Sequence, residues 1–472
     1  LDGRNDAAAG GGHFGVRFAF EPHLPFTGAV AGVDDVGMTV DEAGSDEATA
    51  GVDCLGGGWC LAGRTGEDNA AILAGDRTAA DDIAIAAGYT GPQAAVGPES
   101  VGVHCVTNLG RRLSFRLAGF VFTESLRRTR LPSFFCQTAL LPTGWADAVV
   151  IDIGGDGRIT RVAVGDRPPV VDADLAAALP GMPNLHSHAF QRGMAGLAEI
   201  AGPGGDSFWT WRQVMYRFLD RLTPDDVEAI AAQLYVEMLE AGFTSVGEFH
   251  YLHHAADGRP YDDPAEMAAR IAAAADWSGI GMTLLPVFYA QGGFGGQPSE
   301  PQQRRFHTDP ALFSRLHSSA AAHLRELPHA RIGIAPHSLR AVTPANLAAL
   351  VAGHTEGPIH IHVAEQTKEV ADCLAWSGQR PVDWLLTHQP VDRRWCLIHA
   401  THMTAAETAA LASSGAVAGL CPQTEANLGD GIFDGVAFAR AGGSFGIGTD
   451  SHIRVDLAEE MRTLEYSQRL RD

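Results

Sequence analysis

His186 and His188 stand one residue apart at the end of an apolar run, in the segment Pro-Gly-Met-Pro-Asn-Leu-His-Ser-His-Ala-Phe-Gln-Arg that begins at Pro180. Side chains two positions apart on a β-strand project from the same face, so both imidazoles could bind one metal ion. A His-x-His pair alone is weak evidence, because such pairs also occur on surfaces that bind nothing. It predicts a metal site only where other segments supply further ligands.

Three later apolar runs also end in residues that could do chemistry. They are Pro-Ile-His-Ile-His-Val-Ala-Glu from Pro358, Trp-Cys-Leu-Ile-His-Ala-Thr-His from Trp395 and Phe-Gly-Ile-Gly-Thr-Asp-Ser-His from Phe445. The carboxyl ends of the strands of a (β/α)8 barrel meet on one face, where such enzymes bind metal and substrate. The pattern therefore predicts a barrel metalloenzyme whose centre draws on several strands.

The composition favours a globular enzyme and disfavours several other classes. The chain has 472 residues, of which 46% are hydrophobic, and a net charge of −22. This charge argues against nucleic acid and anionic membranes as partners, since both select basic surfaces. No apolar run approaches the roughly 20 residues of a membrane span, and no signal-peptide pattern opens the chain. The seven cysteines include no Cys-x-x-Cys pair, which is typical of reduced thiols in a cytoplasmic protein.

The chain contains a single lysine, Lys368. Binuclear metallohydrolases on barrel scaffolds often use a modified lysine at an inner strand end to bridge two metal ions. Lys368 follows the His362 strand in the polar segment Gln-Thr-Lys-Glu, which is expected to form the loop or helix beyond that strand. We therefore expect one metal ion per chain rather than two.

The elements that must position these residues alternate regularly after about Gly181. Thr223 and Pro224 predict the start of a helix that Gly242 ends, and Thr343 and Thr404 predict two more helix starts. Eight strands are predicted, each separated by a helix-length segment: 181–186, 243–250, 280–289, 331–336, 358–363, 395–399, 416–421 and 444–449. The predicted fold class is α/β, with a (β/α)8 TIM-like barrel over residues 176–472.

Two regions precede the barrel. Residues 131–175 are predicted to form a small β domain, with the Gly154–Gly157 segment as a hairpin turn. Residues 1–130 are unassigned, because they show neither helical periodicity nor a regular alternation of strands and turns. They are either an unfamiliar domain or a stretch that is non-native or disordered.

Residues from about 132 to 472 resemble the formimidoylglutamate deiminase family of the amidohydrolase superfamily. Besides the His186 segment, the motifs that carry the resemblance are Ala-Pro-His-Ser-Leu-Arg from Ala335, His-Ile-His-Val-Ala-Glu-Gln from His360, Cys-Pro-Gln-Thr-Glu-Ala-Asn-Leu-Gly-Asp-Gly from Cys421 and Gly-Thr-Asp-Ser-His from Gly448. The family continues beyond the equivalent of Asp472, so the small β domain is expected to be incomplete here.

The resemblance implies zinc-dependent hydrolysis of N-formimino-L-glutamate to N-formyl-L-glutamate and ammonia, a step of histidine degradation. It implies one Zn²⁺ per chain, held by His186, His188, His362 and Asp450. His399 would be the general base, Asp450 would orient the attacking water, Glu365 would carry protons, and His337 would hold the formimino group. Contacts to the substrate would come from Gln191, Arg212, Tyr251 and Arg340.

The sequence leaves several alternatives open. Glu365 could be a solvated loop carboxylate and His337 a core histidine, and we expect His360 to face away from His362 and to be structural. The substrate could instead be another amidine, a guanidine or a nucleobase. The chain could also be a truncated fragment that binds metal without turnover. The predicted partner is the small-molecule substrate, and a homodimer is left open.

Overall fold

The computed structural model describes residues 131–155, 157–199, 208–327 and 329–471, together with six short strands earlier in the chain. These strands are β1 (Trp59–Ala62), β2 (Ile72–Gly75), β3 (Ile83–Ala86), β4 (His104–Thr107), β5 (Arg116–Leu117) and β6 (Phe120–Val121). They pair in sequence order as three antiparallel two-stranded sheets. Apart from these six strands, the structure does not describe residues 1–130, so the prediction that they are unassigned, disordered or non-native falls outside the described residues. The chain divides into two units between Pro180 and Gly181.

Between residues 131 and 180, the first unit forms a four-stranded sheet in the order β10-β7-β8-β9. Its strands are β7 (Ser133–Leu141), β8 (Gly144–Ile153), β9 (Ile159–Val164) and β10 (Ala173–Ala178). The predicted hairpin turn joins β8 to β9, and the Gly154 N–H donates to the Arg158 carbonyl at 2.7 Å across it. Six buried side chains from β7 and β8 form its core: Phe134, Cys136, Ala139, Val149, Ile151 and Ile153.

The second unit contains the eight predicted strands, all parallel to their neighbours. They are β11 (Met182–Ser187), β12 (Phe243–His250), β13 (Gly281–Phe288), the pair β14 (Ala330–Ile332) and β15 (Ala335–Pro336), β16 (Ile359–Val363), β17 (Trp395–His399), β18 (Val417–Leu420) and β19 (Ser444–Ile447). The fourth strand is interrupted between β14 and β15, and both pieces pair with β13. The predicted fold class is confirmed.

Helices follow the strands. They are α1 (Phe208–Leu219), α2 (Pro224–Glu240), α3 (Glu266–Ser278), α4 (Pro310–His323), α5 (Pro344–Gly353), α6 (Thr367–Ser377), α7 (Pro381–His388), α8 (Ala405–Ser414), α9 (Pro422–Leu428), α10 (Gly435–Arg440) and α11 (Leu457–Arg471). The predicted caps are confirmed: Thr223, Thr343 and Thr404 each accept a backbone N–H in the first turn of α2, α5 and α8.

The sheet closes on itself where β11 meets the chain just after β19. Ser187 and Asp450 form an isolated parallel β-bridge, and the Asp450 N–H donates to the His186 carbonyl at 3.0 Å. A Cβ at Gly448 would lie 2.7 Å from the His186 backbone nitrogen, so only glycine allows this approach. On the opposite side, bridges from Ile334 to Ile359 and from Ser338 to His362 join the fourth strand to the fifth.

Asn184 holds the closure from inside the barrel. Its side-chain oxygen accepts the backbone N–H groups of His186 at 3.3 Å and Thr449 at 3.1 Å, and its amide donates to Thr449 Oγ1 at 2.7 Å. The side chain is fully buried. One amide therefore satisfies polar groups on both strands of the seam, as buried polar groups require.

Within the described residues, no helix is long and apolar enough to cross a membrane. Four cysteines with described side chains, Cys136, Cys373, Cys396 and Cys421, are buried and unpaired. This agrees with the predicted reduced thiols. The side chains of Cys54, Cys60 and Cys105 lie outside the described residues.

Replacing Asn184 with alanine is expected to lower the free energy of unfolding of the barrel by about 3 kcal/mol, because two buried N–H groups lose their acceptor. Urea unfolding in the presence of a metal chelator measures this change. Asn427→Ala, at an exposed position of α9, should stay within about 0.5 kcal/mol of the unaltered protein. Equal effects of the two substitutions would contradict the role of Asn184 in closure.

Candidate metal and substrate site

Four buried ligand atoms converge at the carboxyl ends of the first, fifth and eighth strands. Nε2 of His186 lies 3.1 Å from Nε2 of both His188 and His362, and 3.4 Å from Oδ1 of Asp450. All four ligand atoms lie within 4.8 Å of one another. The structure thus brings together the four residues that the sequence predicted as metal ligands.

The other ring nitrogens fix which atoms face the centre. Nδ1 of His188 lies 2.9 Å from the Phe249 carbonyl, and Nδ1 of His362 lies 3.0 Å from the His337 carbonyl. A carbonyl only accepts, so both Nδ1 atoms must carry the proton and both Nε2 atoms must present lone pairs. Nε2 of His186 lies 3.1 Å from both of these lone pairs; a proton on it could be donated along only one of the two contacts, whereas a cation among the three nitrogens would satisfy all of them. The donor set of three imidazoles and one carboxylate fits a zinc ion.

Electrostatics keep these imidazoles in the form that binds metal. Burial, followed by the neighbouring histidines, holds the pKa of His186 and His362 well below the usual value. Burial also lowers the pKa of His188, although Asp450 and the Phe249 carbonyl oppose the shift. The three rings are therefore neutral at physiological pH, as metal ligation requires.

Glu248 on the second strand anchors the backbone around His188. It accepts hydrogen bonds from the Ser187 hydroxyl, from the Ala189 N–H at 2.8 Å and from the Tyr235 hydroxyl at 3.2 Å. Burial raises the pKa of Glu248 to about 7, while these hydrogen bonds oppose the rise. The residues on either side of His188 are thus held by one carboxyl group.

His399, at the end of the sixth strand, lies among three carboxylates. Its Nδ1 is 3.2 Å from Oε1 of Glu425, and its Nε2 is 4.0 Å from Glu365 and 3.9 Å from Asp450. Burial alone would lower the pKa of His399, but Glu365, Asp450 and Glu425 raise it to about 10. Glu365 is buried, and burial raises its pKa. A proton can therefore be held between His399 and the carboxylates beside the metal ligands.

Several residues at these strand ends adopt left-handed backbone conformations without being glycine. The φ angles are 52° at Ala364, 66° at His399, 47° at Asp450 and 55° at His452. Each such conformation costs of order 1–3 kcal/mol and persists only where the surroundings impose it. The strain is concentrated where the chain turns from a strand to present a functional side chain.

One pocket is lined by three of the four candidate ligands and by every predicted substrate contact. About 620 Å³ of empty space, part of it open to solvent, is lined by residues of the predicted set: His188, Gln191, Arg212, Tyr251, His337, Arg340, His362, Glu365, His399 and Asp450. Gln191 donates to the Tyr251 hydroxyl at 2.7 Å. Burial, then Arg340, holds the pKa of His337 well below its usual value, so this ring is neutral.

The expectation that His360 faces away from His362 is wrong, because residues two apart on a strand share a face. A Cβ at Gly247, on the second strand, would lie 3.5 Å from Cε1 of His360 on the fifth, so its ring lies inside the barrel. His360 is absent from the groups that could hold a metal ion within the described chain. It is an interior residue near the ligand cluster but not part of it.

Lys368 lies away from the ligand cluster, as the sequence predicted. It is in the first turn of α6, is 60% exposed and pairs with Asp372 at 2.6 Å. It therefore does not contribute a bridge between two metal ions.

Sequence reasoning missed Glu425 and Glu248. Both are buried carboxyl groups whose partners lie far away along the chain: His399 is 26 residues from Glu425, and Ser187 is 61 residues from Glu248. Glu425 stands inside the motif that begins at Cys421, so its position in a polar strand-end segment was the available signal. Nothing in the sequence distinguishes Glu248 from a surface carboxylate.

Comparisons with known proteins agree with this geometry. The model of the amidohydrolase family matches residues 177–472. The chain is 56% identical over 348 residues to formimidoylglutamate deiminase of Pseudomonas aeruginosa, covering 72% of this chain and 76% of the relative. An amidohydrolase structure from Brucella melitensis has 56% identity and a TM-score of 0.70, with 72% of this chain and 76% of that chain covered. An adenosine deaminase of Xanthomonas campestris with bound zinc, 21% identical, has a TM-score of 0.56 over 72% of this chain and 74% of that chain.

Replacing His188 with alanine is expected to weaken zinc binding by more than about 100-fold, since even the loss of a residue that only supports a ligand costs 10- to 100-fold. Metal analysis and competition with a chelator measure the affinity. His360→Ala serves as the control and should retain one zinc ion per chain. Equal zinc affinity in the His188 variant and the unaltered protein would refute the ligand set.

Replacing Glu425 with glutamine is expected to lower kcat roughly 10- to 100-fold, because the charge that orients His399 and stabilises its protonated form is lost. KM and zinc content should stay within about twofold, since Glu425 does not line the pocket. Glu407→Gln is the matched control, because Glu407 is also buried and hydrogen-bonded but caps α8. A Glu425 variant with unchanged kcat, or with only KM raised, would contradict this role.

Proposed function

The chain belongs to the amidohydrolase family, and within this family we propose that it hydrolyses N-formimino-L-glutamate to N-formyl-L-glutamate and ammonia. The observation that carries the substrate assignment is that the pocket of the metal-ligand cluster is also lined by two arginines, Arg212 and Arg340. The substrate is an amino-diacid, and guanidinium groups bind carboxylates through paired hydrogen bonds. The identity of 56% to formimidoylglutamate deiminase supports the same assignment.

The metal ion is proposed to be zinc, bound by His186, His188, His362 and Asp450. The donor set favours zinc, because magnesium and calcium prefer oxygen ligands. A zinc ion there would supply a water molecule of lowered pKa, and its charge would draw the pKa of His399 down from about 10 toward the range of a base.

The reaction then depends on residues that move the two protons of a water molecule to the terminal nitrogen, which starts as =NH and leaves as NH₃. Asp450 and His399, 3.9 Å apart, receive the first proton as the oxygen adds to the formimino carbon, and its transfer converts the nitrogen to NH₂. The hydroxyl of the tetrahedral carbon then loses the second proton and becomes the formyl C=O, and the nitrogen takes up that proton as its bond to carbon breaks and ammonia leaves. Glu365, 4.0 Å from Nε2 of His399, is positioned to deliver it. The C–N bond is thereby exchanged for a C–O bond without any redox step.

Substrate orientation comes from the remaining residues of the pocket. Arg340 and Arg212 bind the two carboxylates, and the Gln191–Tyr251 pair lies next to His188. His337, which is neutral, holds the formimino group beside the ligand cluster; its ring centroid lies 4.9 Å from that of His362. A cytoplasmic location and a homodimer stay predictions from the sequence.

The protein with one equivalent of zinc is expected to release ammonia from N-formimino-L-glutamate, and a coupled assay for ammonia measures the rate. Arg340→Met should retain zinc and most of kcat, while KM rises roughly 100-fold because two hydrogen bonds to a charged group are lost.

Guanine and adenosine serve as control substrates and should give no ammonia. Zinc-loaded protein that leaves N-formimino-L-glutamate unchanged but deaminates a nucleobase would reject the proposal in favour of a nucleobase deaminase. Bound zinc with no turnover of any of these compounds would favour a fragment that only binds metal.

A further inference from the structure

Two tyrosines that the proposed mechanism does not use stand beside Arg212 in the pocket wall. Tyr216 belongs to α1, and Tyr289 immediately follows the third strand. Both side chains are buried and both line the pocket. The ring centroid of Tyr289 lies 4.6 Å from that of His337, so this wall reaches the reacting end of the pocket.

Each phenol oxygen accepts a hydrogen bond from a side chain of the pocket wall. Arg212 Nε donates to Tyr216 at 2.6 Å, and Gln303 Nε2 donates to Tyr289 at 2.8 Å. Burial raises the pKa of both tyrosines, and Gln303 beside Tyr216 and Arg212 beside Tyr289 oppose the rise. The orientation of the Gln303 amide is fixed, because its oxygen accepts the Glu300 N–H at 2.7 Å. Its NH₂ group must therefore face the two tyrosines.

This arrangement determines where the phenol protons point. A phenol oxygen accepts at most two hydrogen bonds and donates one. Arg212 donates to one of these oxygens and Gln303 donates to the other, so neither contact uses the hydroxyl proton, which each tyrosine still has to donate. Among the residues that the structure describes, only donors hydrogen-bond to these two oxygens. The acceptor must come from whatever occupies the pocket.

The charge of the surroundings specifies the acceptor. Arg212 and Arg340 both act on Tyr289 and oppose the rise that burial produces in its pKa. Burial raises the pKa of Tyr216 to about 12, so its hydroxyl keeps the proton at neutral pH. Two guanidinium groups and two O–H donors in one wall suit a carboxylate, which offers about four lone pairs.

We propose that Tyr216 and Tyr289 are substrate-binding residues that donate hydrogen bonds to a carboxylate of the bound substrate, and that Gln303 positions them. The inference rests on the proposed function in that the substrate is taken to be an amino-diacid. It adds two specificity residues and one positioning residue to the contacts predicted from the sequence.

The test measures KM and kcat of Tyr289→Phe and Tyr216→Phe with three compounds. These are N-formimino-L-glutamate, N-formimino-L-norvaline, which lacks the side-chain carboxylate, and N-formimino-4-aminobutanoate, which lacks the α-carboxylate. For N-formimino-L-glutamate, KM should rise about tenfold in each variant with kcat within about twofold, since a hydrogen bond to a charged group is lost. KM should rise by the same factor with the analogue that retains the carboxylate bound by the tyrosines. It should stay unchanged with the analogue that lacks this carboxylate.

Tyr466→Phe is the matched control, because Tyr466 is exposed on α11, and it should leave all three KM values unchanged. Thermal unfolding and zinc content identify a variant that is merely misfolded. An unchanged KM for the glutamate compound, or an equal change with all three compounds, would overturn the inference while leaving the deiminase proposal intact.

Calorimetry with glutarate separates the inference from the proposed reaction. If the unaltered protein binds glutarate, and Tyr289→Phe and Tyr216→Phe each weaken binding about tenfold, the carboxylate contacts stand even where no ammonia is released. If glutarate does not bind, or binds the variants and the unaltered protein equally, the carboxylate contacts are overturned, as they would be by an unchanged KM.

Discussion

The meeting of the first and last strands of the barrel is the constraint on which the site depends. Asp450 lies more than 260 residues after His186, yet its N–H donates to the His186 carbonyl at 3.0 Å. This backbone pairing places the Asp450 carboxylate 3.4 Å from His186 Nε2. Asn184 and the missing side chain at Gly448 permit the approach and satisfy its polar groups. The ligand set is therefore a consequence of barrel closure, since neither strand end could form it alone.

The closed barrel supports an arrangement that would be unfavourable in an isolated segment. Three neutral imidazoles crowd one another, His399 lies among carboxylates, and the backbone is left-handed at His399 and Asp450. Rigid strands on every side over-determine these conformations, which is the condition under which strain persists. Residues behind the ligands complete the support: Glu248 fixes the chain around His188, and Glu425 fixes the ring of His399. Such supporting contacts orient a metal site as strongly as the ligands themselves.

The sequence predicted those features that have a local signature. Apolar runs located all eight strands, threonine caps located helix starts, and polar residues at strand ends located four side chains that the structure brings together and that could hold a metal ion. It could not predict contacts that exist only through closure, such as Glu248 with Ser187 or Gln303 with Tyr289, since nothing local marks their partners. His360 shows a different failure. The two-residue period of a strand, applied correctly to His186 and His188, places it on the face of His362. The two-residue period of a strand does not indicate which layer of the barrel interior a side chain occupies.

The pocket lining presents both donors and acceptors, and this limits what can bind. Arg212, Arg340 and two tyrosine hydroxyls are donors, whereas Glu365 and Asp450 are acceptors. A ligand with carboxylates at one end and an N–H-rich amidine at the other can pair with both. A neutral, flat nucleobase would supply no anion to Arg340, whose buried Nε has no hydrogen-bond partner among the described residues, and unpaired buried polar groups are strongly penalised. Selectivity thus arises as much from the cost of leaving the donors of one wall unpaired as from attraction at the reacting centre.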